Sequence, residues 1–410
     1  MSKLYRREKY LSRIRAFYDA DDIIKVITGV RRCGKSCLMR TIADELIERG
    51  VPEENIIYIN LDSREYNRIT TQDQLDELLS RYDAIKGLKY LFIDEVQNVK
   101  GFEIIINSFR EDGAYSIFIT GSNSYLLSGE LMTKLTGRYL EFEIFTLTYD
   151  EYEAMKEFYK KPIDPILRNE MDNYILGGGF PRAVQLDDLE SKRTYASGVI
   201  AEIFQKDIRR RVHVGDRHTF ESVQKYMINN FGATTSIRSL ERAMKQNDIQ
   251  ISRPTLTRYI NILCDAKILY AVDRFDMKSK RSINGEKKYY LSDLAFYYAT
   301  NADNRINYGP VLENIAYFYA RSKDYTVSIG RIGKLECDFI LRDWNLNYSY
   351  LQVAMTIMDS RATEDREYRP LESIHDNYKK YVATTDQLLQ RRNGIEHINL
   401  IEFIKNDSNF

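Results

Sequence analysis

A short apolar run at residues 23–28 (IIKVIT) leads directly into Gly29-Val30-Arg31-Arg32-Cys33-Gly34-Lys35-Ser36, and an amphipathic stretch, CLMRTIADELIERG, starts at Cys37. No other segment restricts the fold as strongly. Glycines at the two ends of the turn let the backbone fold tightly enough for its N–H groups to surround an anion. The helix start adds the favourable end of its dipole. A lysine followed by a hydroxyl at this point suits a triphosphate with its metal: Lys35 reaches the β- and γ-phosphates, and Ser36 is placed to ligate Mg²⁺. The ligands expected on this pattern are ATP and Mg²⁺, with residues 29–37 as the phosphate loop. Cys33 and Cys37 sit where no chemistry needs a thiol and are expected to be neutral occupants.

The surroundings fit such a loop. IIYIN (56–60), KYLFID (89–94), YSIFIT (115–120) and YLEFEIF (139–145) are apolar runs with little alternation, separated by segments of helical spacing. Unalternating strands suit burial on both faces, and their alternation with helices predicts an α/β domain with a parallel sheet. KYLFID ends in Asp94-Glu95. The first carboxylate is placed to hold Mg²⁺, and the second to orient and deprotonate an attacking water. YSIFIT ends in Thr120-Gly121-Ser122-Asn123, where a polar side chain would face the γ-phosphate if this strand neighbours the loop strand.

Composition excludes several alternatives. With 60 Lys+Arg against 60 Asp+Glu there is no net charge, so any nucleic-acid or anionic partner has to be met by a local patch. Four cysteines are too few and scattered for a disulfide framework or a four-thiolate zinc site, and four histidines without HExxH argue against a histidine-built metal centre. The charged N-terminal segment lacks the apolar centre of a signal peptide, and no apolar run has the length of a membrane span. A cytoplasmic protein without a membrane partner is expected.

After Thr146 the pattern becomes mostly helical, interrupted by Pro162, Pro165 and Gly177–Gly179. From Phe220 to Asp293 two helices, the second capped by Ser252-Arg253-Pro254, precede two strand-like runs joined by a basic segment with an Asn284-Gly285 turn signal. That is the outline of a winged helix. Residues 231–290 hold twelve basic residues against six acidic ones. Leu256, Ile260 and Leu263 form a buried stripe, leaving Arg253, Thr257, Arg258 and Asn261 exposed. Such a helix suits a major groove of double-stranded DNA, with Lys278, Lys280 and Arg281 on phosphates. Beyond residue 307 a helix, LENIAYFYARSK, precedes the strand candidates VSIGRI, ECDFIL and YSYLQVAMT and then a polar helical tail.

On VRRCGKS, FIDEVQN, FITGSNS, LTGRYLEFEIFTLTYDEY, GGGFPRA, KKYYLSDLAF and ECDFI, the chain resembles a prokaryotic family that joins an AAA+ ATPase to a C-terminal domain of unknown function. The resemblance implies an ATPase with a helical lid at 1–190, a winged-helix region at 191–300, and a domain similar to the restriction-endonuclease fold at 301–410. It implies that Gly29, Gly34, Lys35 and Ser36 form the phosphate loop, that Asp94 binds Mg²⁺, and that Glu95 is the general base. Ser122 or Asn123 would sense the γ-phosphate, Arg138 would be an arginine finger acting within a homo-oligomer, and Arg182 a second sensor. In the nuclease-like part Glu313 and Asp338 match two of the acids that hold a metal. Gln352 and Ala354 stand where active members have Glu and Lys, so cleavage is expected to be lost. The reading is a nucleotide-dependent, DNA-associated or regulatory switch. The alternatives are a signalling or scaffold ATPase whose C-terminal half binds a protein partner, and an active ATP-dependent nuclease.

Overall fold

The structure, a computed structural model, describes residues 4–121, 137–209, 216–278, 281–301 and 305–410, excluding the side chains of 281–284. Two compact units are present: Met1–Phe145 with Asp265–Lys267, and Thr146–Cys264 with Ile268–Phe410.

The first unit contains β1 (Ile24–Thr28), β2 (Ile56–Asn60), β3 (Lys89–Asp94), β4 (Tyr115–Thr120) and β5 (Tyr139–Glu143). They form a parallel sheet in the order β2-β3-β4-β1-β5. Every residue of β1, β3 and β4 is buried, as expected of apolar runs covered on both faces. β2 lies at the edge, and its burial alternates. On one face Leu75, Leu79, Phe102 and Ile106, from the helices Gln72–Leu79 and Phe102–Glu111, pack on Ile59, Leu91, Ile93 and Ile117. Each such side chain contributes roughly 1.5–3 kcal/mol by leaving water. Thr71 and Gln74 close a capping box that fixes where the first of these helices begins. Lys25 is the charged exception in β1. Its ammonium donates to Ile23 O (3.0 Å) and Ser116 Oγ (2.8 Å) and lies 4.6 Å from the Phe118 ring centroid. Burial lowers its pKa to about 7.

The second unit opens with the helices Tyr149–Phe158, Leu167–Gly177, Pro181–Val184 and Leu189–Glu202, the last running into a π-helical turn at Ile203–Ile208. The helix Arg217–Asn229 precedes β6 (Thr234–Ser236), the helices Ile237–Gln246 and Arg253–Asp265, β7 (Leu269–Asp276), β8 (Arg281–Leu291) and the helix Ala295–Thr300. The long helix Tyr308–Ser322 leads into β9 (Thr326–Ile332), β10 (Leu335–Arg342) and β11 (Tyr348–Val353). The helix Arg361–Glu372, β12 (Lys379–Thr384), β13 (Arg391–Arg392), β14 (Ile395–Asn399) and the helix Leu400–Lys405 follow. One nine-stranded sheet runs β13-β14-β12-β11-β10-β9-β7-β8-β6. It joins β7 and β8 to the C-terminal strands through a short parallel pairing of β7 with β9.

Two local expectations are corrected. Asn284-Gly285 is not the hairpin turn. It lies within β8, where the register with β7 jumps from Asp273↔Lys287 to Arg274↔Ile283, so these residues form a bulge and Gly285 takes φ +117°. The C-terminal tail is not wholly helical either. β12 and β14 pair in parallel with each other, β12 pairs with β11 and β13 with β14, carrying the sheet three strands further.

In the same unit two of the quoted motifs meet. The Asp293 carboxylate accepts from Gly179 N (2.9 Å) and Ala295 N (2.8 Å). A Cβ at Gly178 would lie 2.2 Å from Asp293 Oδ1, so a glycine is required for that approach. Burial raises the Asp293 pKa to about 6.

Candidate nucleotide site

The phosphate loop leaves the C-terminal end of β1. Gly29 adopts φ +141° and Gly34 φ +111°, conformations that few side chains tolerate. A Cβ on Gly29 would fall 2.2 Å from Ile144 O, so the loop lies directly against the chain that follows β5. Arg7, buried near the N-terminus, donates to Cys33 O (3.2 Å) and Phe145 O (2.7 Å) and so ties the loop to that chain. Its local sequence gives no signal of this role. Val30, Arg31 and Cys33 are buried, while Arg32 and Cys37 are exposed. Burial raises the Cys33 pKa, which keeps that thiol neutral.

Lys35 opens the helix Lys35–Glu48 and is buried, with its ammonium donating to Gly29 O (2.9 Å) and Val30 O (3.1 Å). No carboxylate among the described residues pairs with it. A buried cation solvated by two carbonyls of an anion-shaped loop fits a phosphate. Ser36 follows on the first turn, with its carbonyl accepting from Tyr58 OH (3.3 Å). Burial, with the charge of Asp94, raises the Tyr58 pKa.

β4 lies between β1 and β3, the neighbour relation required of the strand that ends at Thr120. The Thr120 hydroxyl donates to Asp94 Oδ1 and accepts from Glu95 N (3.0 Å). Thr120 therefore holds the acid pair from the adjacent strand, a role that its place before Gly121 could have suggested. Asp94 is buried at the end of β3. Glu95 sits at φ +59°, strained for a residue with a side chain, and its carboxylate accepts from Gln97 Nε2. Ser122 and Asn123 lie outside the described residues.

Arg138 is at the other edge of this sheet. It precedes β5, its carbonyl accepts from Ile24 N (2.9 Å), and its guanidinium engages Asn107 (3.0 Å) and Glu111 (3.7 Å). Arg182 belongs to the second unit and donates to Gln185 (2.7 Å).

The nuclease-like acids are placed together, with an addition that the sequence did not reveal. Glu313, on the helix Tyr308–Ser322, and Asp338, on β10, both face Lys288 of β8, and so does Glu336. Burial opposes the charge on Lys288, but the three carboxylates outweigh it and raise the lysine above its ordinary pKa. Burial and the Glu313 charge raise Asp338 well above the usual carboxylate range. Gln352 donates to Glu367 (3.0 Å) and accepts from Asp338 N (3.3 Å), while Ala354 is buried without a polar group.

In the basic segment Leu256, Ile260 and Leu263 are buried, as is Tyr259, while Arg253, Thr257, Arg258 and Asn261 are exposed. Lys278 is exposed. Lys280 and the side chain of Arg281 lie outside the described residues.

A parallel sheet with β1 between β4 and β5, a Gly-rich loop opening a helix and an acid pair on β3 define a P-loop ATPase of the AAA+ kind. Residues 21–153 match the family described as an AAA domain, and residues 168–305 match a domain of unknown function (DUF8612). An uncharacterized protein of Haemophilus influenzae is 33% identical over 409 residues, covering 98% of this chain and all of the relative. One from Methanocaldococcus jannaschii is 27% identical over 396 residues, covering 93% and 86% of the two chains. The Walker-type ATPase of Pyrococcus abyssi superposes with a TM-score of 0.50 at 14% identity, over 72% of this chain and 96% of that one, a likeness of fold. The chain belongs to the AAA+ ATPases and, within them, to the family of its full-length Haemophilus relative. Among the described residues no helix is long and apolar enough to cross a membrane.

Proposed function

We propose that the protein hydrolyses ATP at the loop 29–37 and uses that cycle as a switch on double-stranded DNA. The observation that carries the first part is the convergence of a buried, carboxylate-free ammonium with an acid pair held by Thr120, all at one edge of three adjacent strands. Lys35 exchanges its two carbonyl partners for β- and γ-phosphate oxygens. Glu95 orients the attacking water and takes its proton. Mg²⁺, held by the Ser36 hydroxyl and Asp94, would offset the negative charge of the phosphate oxygens. Lys35→Ala is expected to lose most of its ATP affinity. Glu95→Gln is expected to bind ATP within a few-fold of the parent and to turn over about 10²–10⁴-fold more slowly. Calorimetric titration and phosphate release measure both, and an unchanged rate in Glu95→Gln removes Glu95 as the base.

The DNA reading rests on connectivity and exposure. The order helix, strand, helix, helix, strand, strand from Arg217 to Leu291, with β6 antiparallel to β8, supports a winged helix. Its helix Arg253–Asp265 presents Thr257, Arg258 and Asn261 to solvent. One contact competes with a phosphate role for Arg253: its guanidinium donates to Glu241 at 2.8 Å, a surface pair that a partner of either kind would have to displace. ATP turnover stimulated by duplex DNA supports the DNA reading. An unaffected rate with a co-purifying protein supports the protein-partner reading.

A further inference from the structure

The resemblance of the last domain to metal-dependent nucleases implies a divalent cation between Glu313 and Asp338. The residues present do not fit one. Lys288 Nζ stands 3.0 Å from Glu313 Oε2, 3.0 Å from Glu336 Oε1 and 3.5 Å from Asp338 Oδ1, so an ammonium already occupies the point where the three carboxylates converge. A Mg²⁺ or Mn²⁺ ion would need those oxygens at about 2.1 Å, and it would have to share them with a fixed positive charge.

The remaining oxygens are also taken. Tyr290 OH donates to Glu313 Oε2 (2.8 Å), Arg274 to Glu336 Oε2 (2.6 Å) and Val353 N to Asp338 Oδ2 (2.9 Å). Every oxygen thus faces a donor or a cation supplied by this chain, except Glu313 Oε1, and Lys288 is only 5% exposed. The lysine comes from β8, while its partners come from the helix Tyr308–Ser322 and from β10, which β9 and β7 separate from β8 in the sheet.

We infer that Lys288 stands in for the metal: its ammonium is a built-in counter-ion that clamps β8, the helix Tyr308–Ser322 and β10 together, and these carboxylates take up no divalent cation. A buried charge cluster stripped of its counter-ion is strongly destabilised. Removing the lysine leaves three converging carboxylates whose charge another cation, or a proton taken up from solvent, has to compensate.

The test uses full-length, nucleotide-free protein carrying Asp94→Ala, so that the acid of the nucleotide site contributes no metal heat. With Lys288 intact, Mn²⁺ is expected to give no saturable heat. Lys288→Gln is expected to melt several degrees lower, to recover in millimolar Mn²⁺, and to lose that recovery when Asp338→Asn is added. Saturable Mn²⁺ binding with Lys288 intact that Asp338→Asn abolishes overturns the inference, as does a Lys288→Gln protein whose melting ignores Mn²⁺. Should Lys288→Gln alone fail to fold, adding Glu313→Gln and Asp338→Asn is expected to recover soluble protein by removing the uncompensated charge. Continued insolubility counts against the counter-ion role.

Discussion

At the scale of single residues, several positions here act through neighbours that are distant in sequence. Arg7 holds the phosphate loop by two carbonyls, one in the loop and one beyond β5. Hydrogen bonds from a charged group are worth about 1.5–3 kcal/mol each. Arg7→Ala is therefore expected to cost about 3 kcal/mol and to weaken ATP binding, read by denaturant unfolding and by titration. An unchanged midpoint would show the contacts to be idle. Asp293 makes a pH-dependent contribution whose sign follows from its burial. Its folded pKa of about 6 lies above the ordinary carboxylate value of 3.8, so the folded protein binds the extra proton between these two values. The associated stability is present below about pH 4 and is lost as pH rises towards 6. Asp293→Asn is expected to flatten that part of the stability curve, measured by thermal unfolding from pH 4 to 7, and an unaltered slope would assign the dependence to other groups.

At the scale of elements, the first unit was legible because its signals are local. β1, β3 and β4 are unbroken apolar runs because both of their faces are buried, and the loop's glycines, lysine and hydroxyl are consecutive. β12 and β14 were missed because KKYVAT and IEHIN are short and flanked by charged residues, so that pairing with β11 and with each other, rather than their own pattern, makes them strands. Lys288 was invisible as a counter-ion because its acids arrive on two later elements, and only the folded sheet brings them to it. The exposed face of the helix Arg253–Asp265, by contrast, followed from its 3.6-residue period. If Arg258 and Lys278 contact phosphates, affinity for duplex DNA should fall steeply with salt, and each alanine substitution should reduce the slope by about 1. Equal slopes for parent and double variant, read by fluorescence anisotropy across a salt series, would remove these side chains from any DNA interface.

At the scale of the whole molecule, the placement of Arg138 bears on whether one chain is a complete enzyme. β1 and β5 run parallel in register from Ile24↔Tyr139 to Thr28↔Glu143. Arg138 therefore sits before the first residue of one strand, while the phosphate loop leaves the last residue of the other. Five residues of strand separate these edges by about 15 Å, and an arginine side chain cannot span that length to its own chain's γ-phosphate. Arg138 is half-exposed, and its guanidinium is held by Asn107 and Glu111 at the surface, where surface ion pairs contribute little and are readily exchanged. If it stabilises transition-state charge, it has to do so on the nucleotide of a second copy. Specific activity is then expected to rise with protein concentration. Arg138→Ala and Lys35→Ala proteins, each inactive alone, are expected to recover turnover when mixed, because some interfaces then pair an intact arginine with an intact loop. A specific activity independent of concentration, together with a monomer by light scattering in the presence of ATP, would leave Arg138 as a surface residue of α/β packing and make each chain's hydrolysis its own.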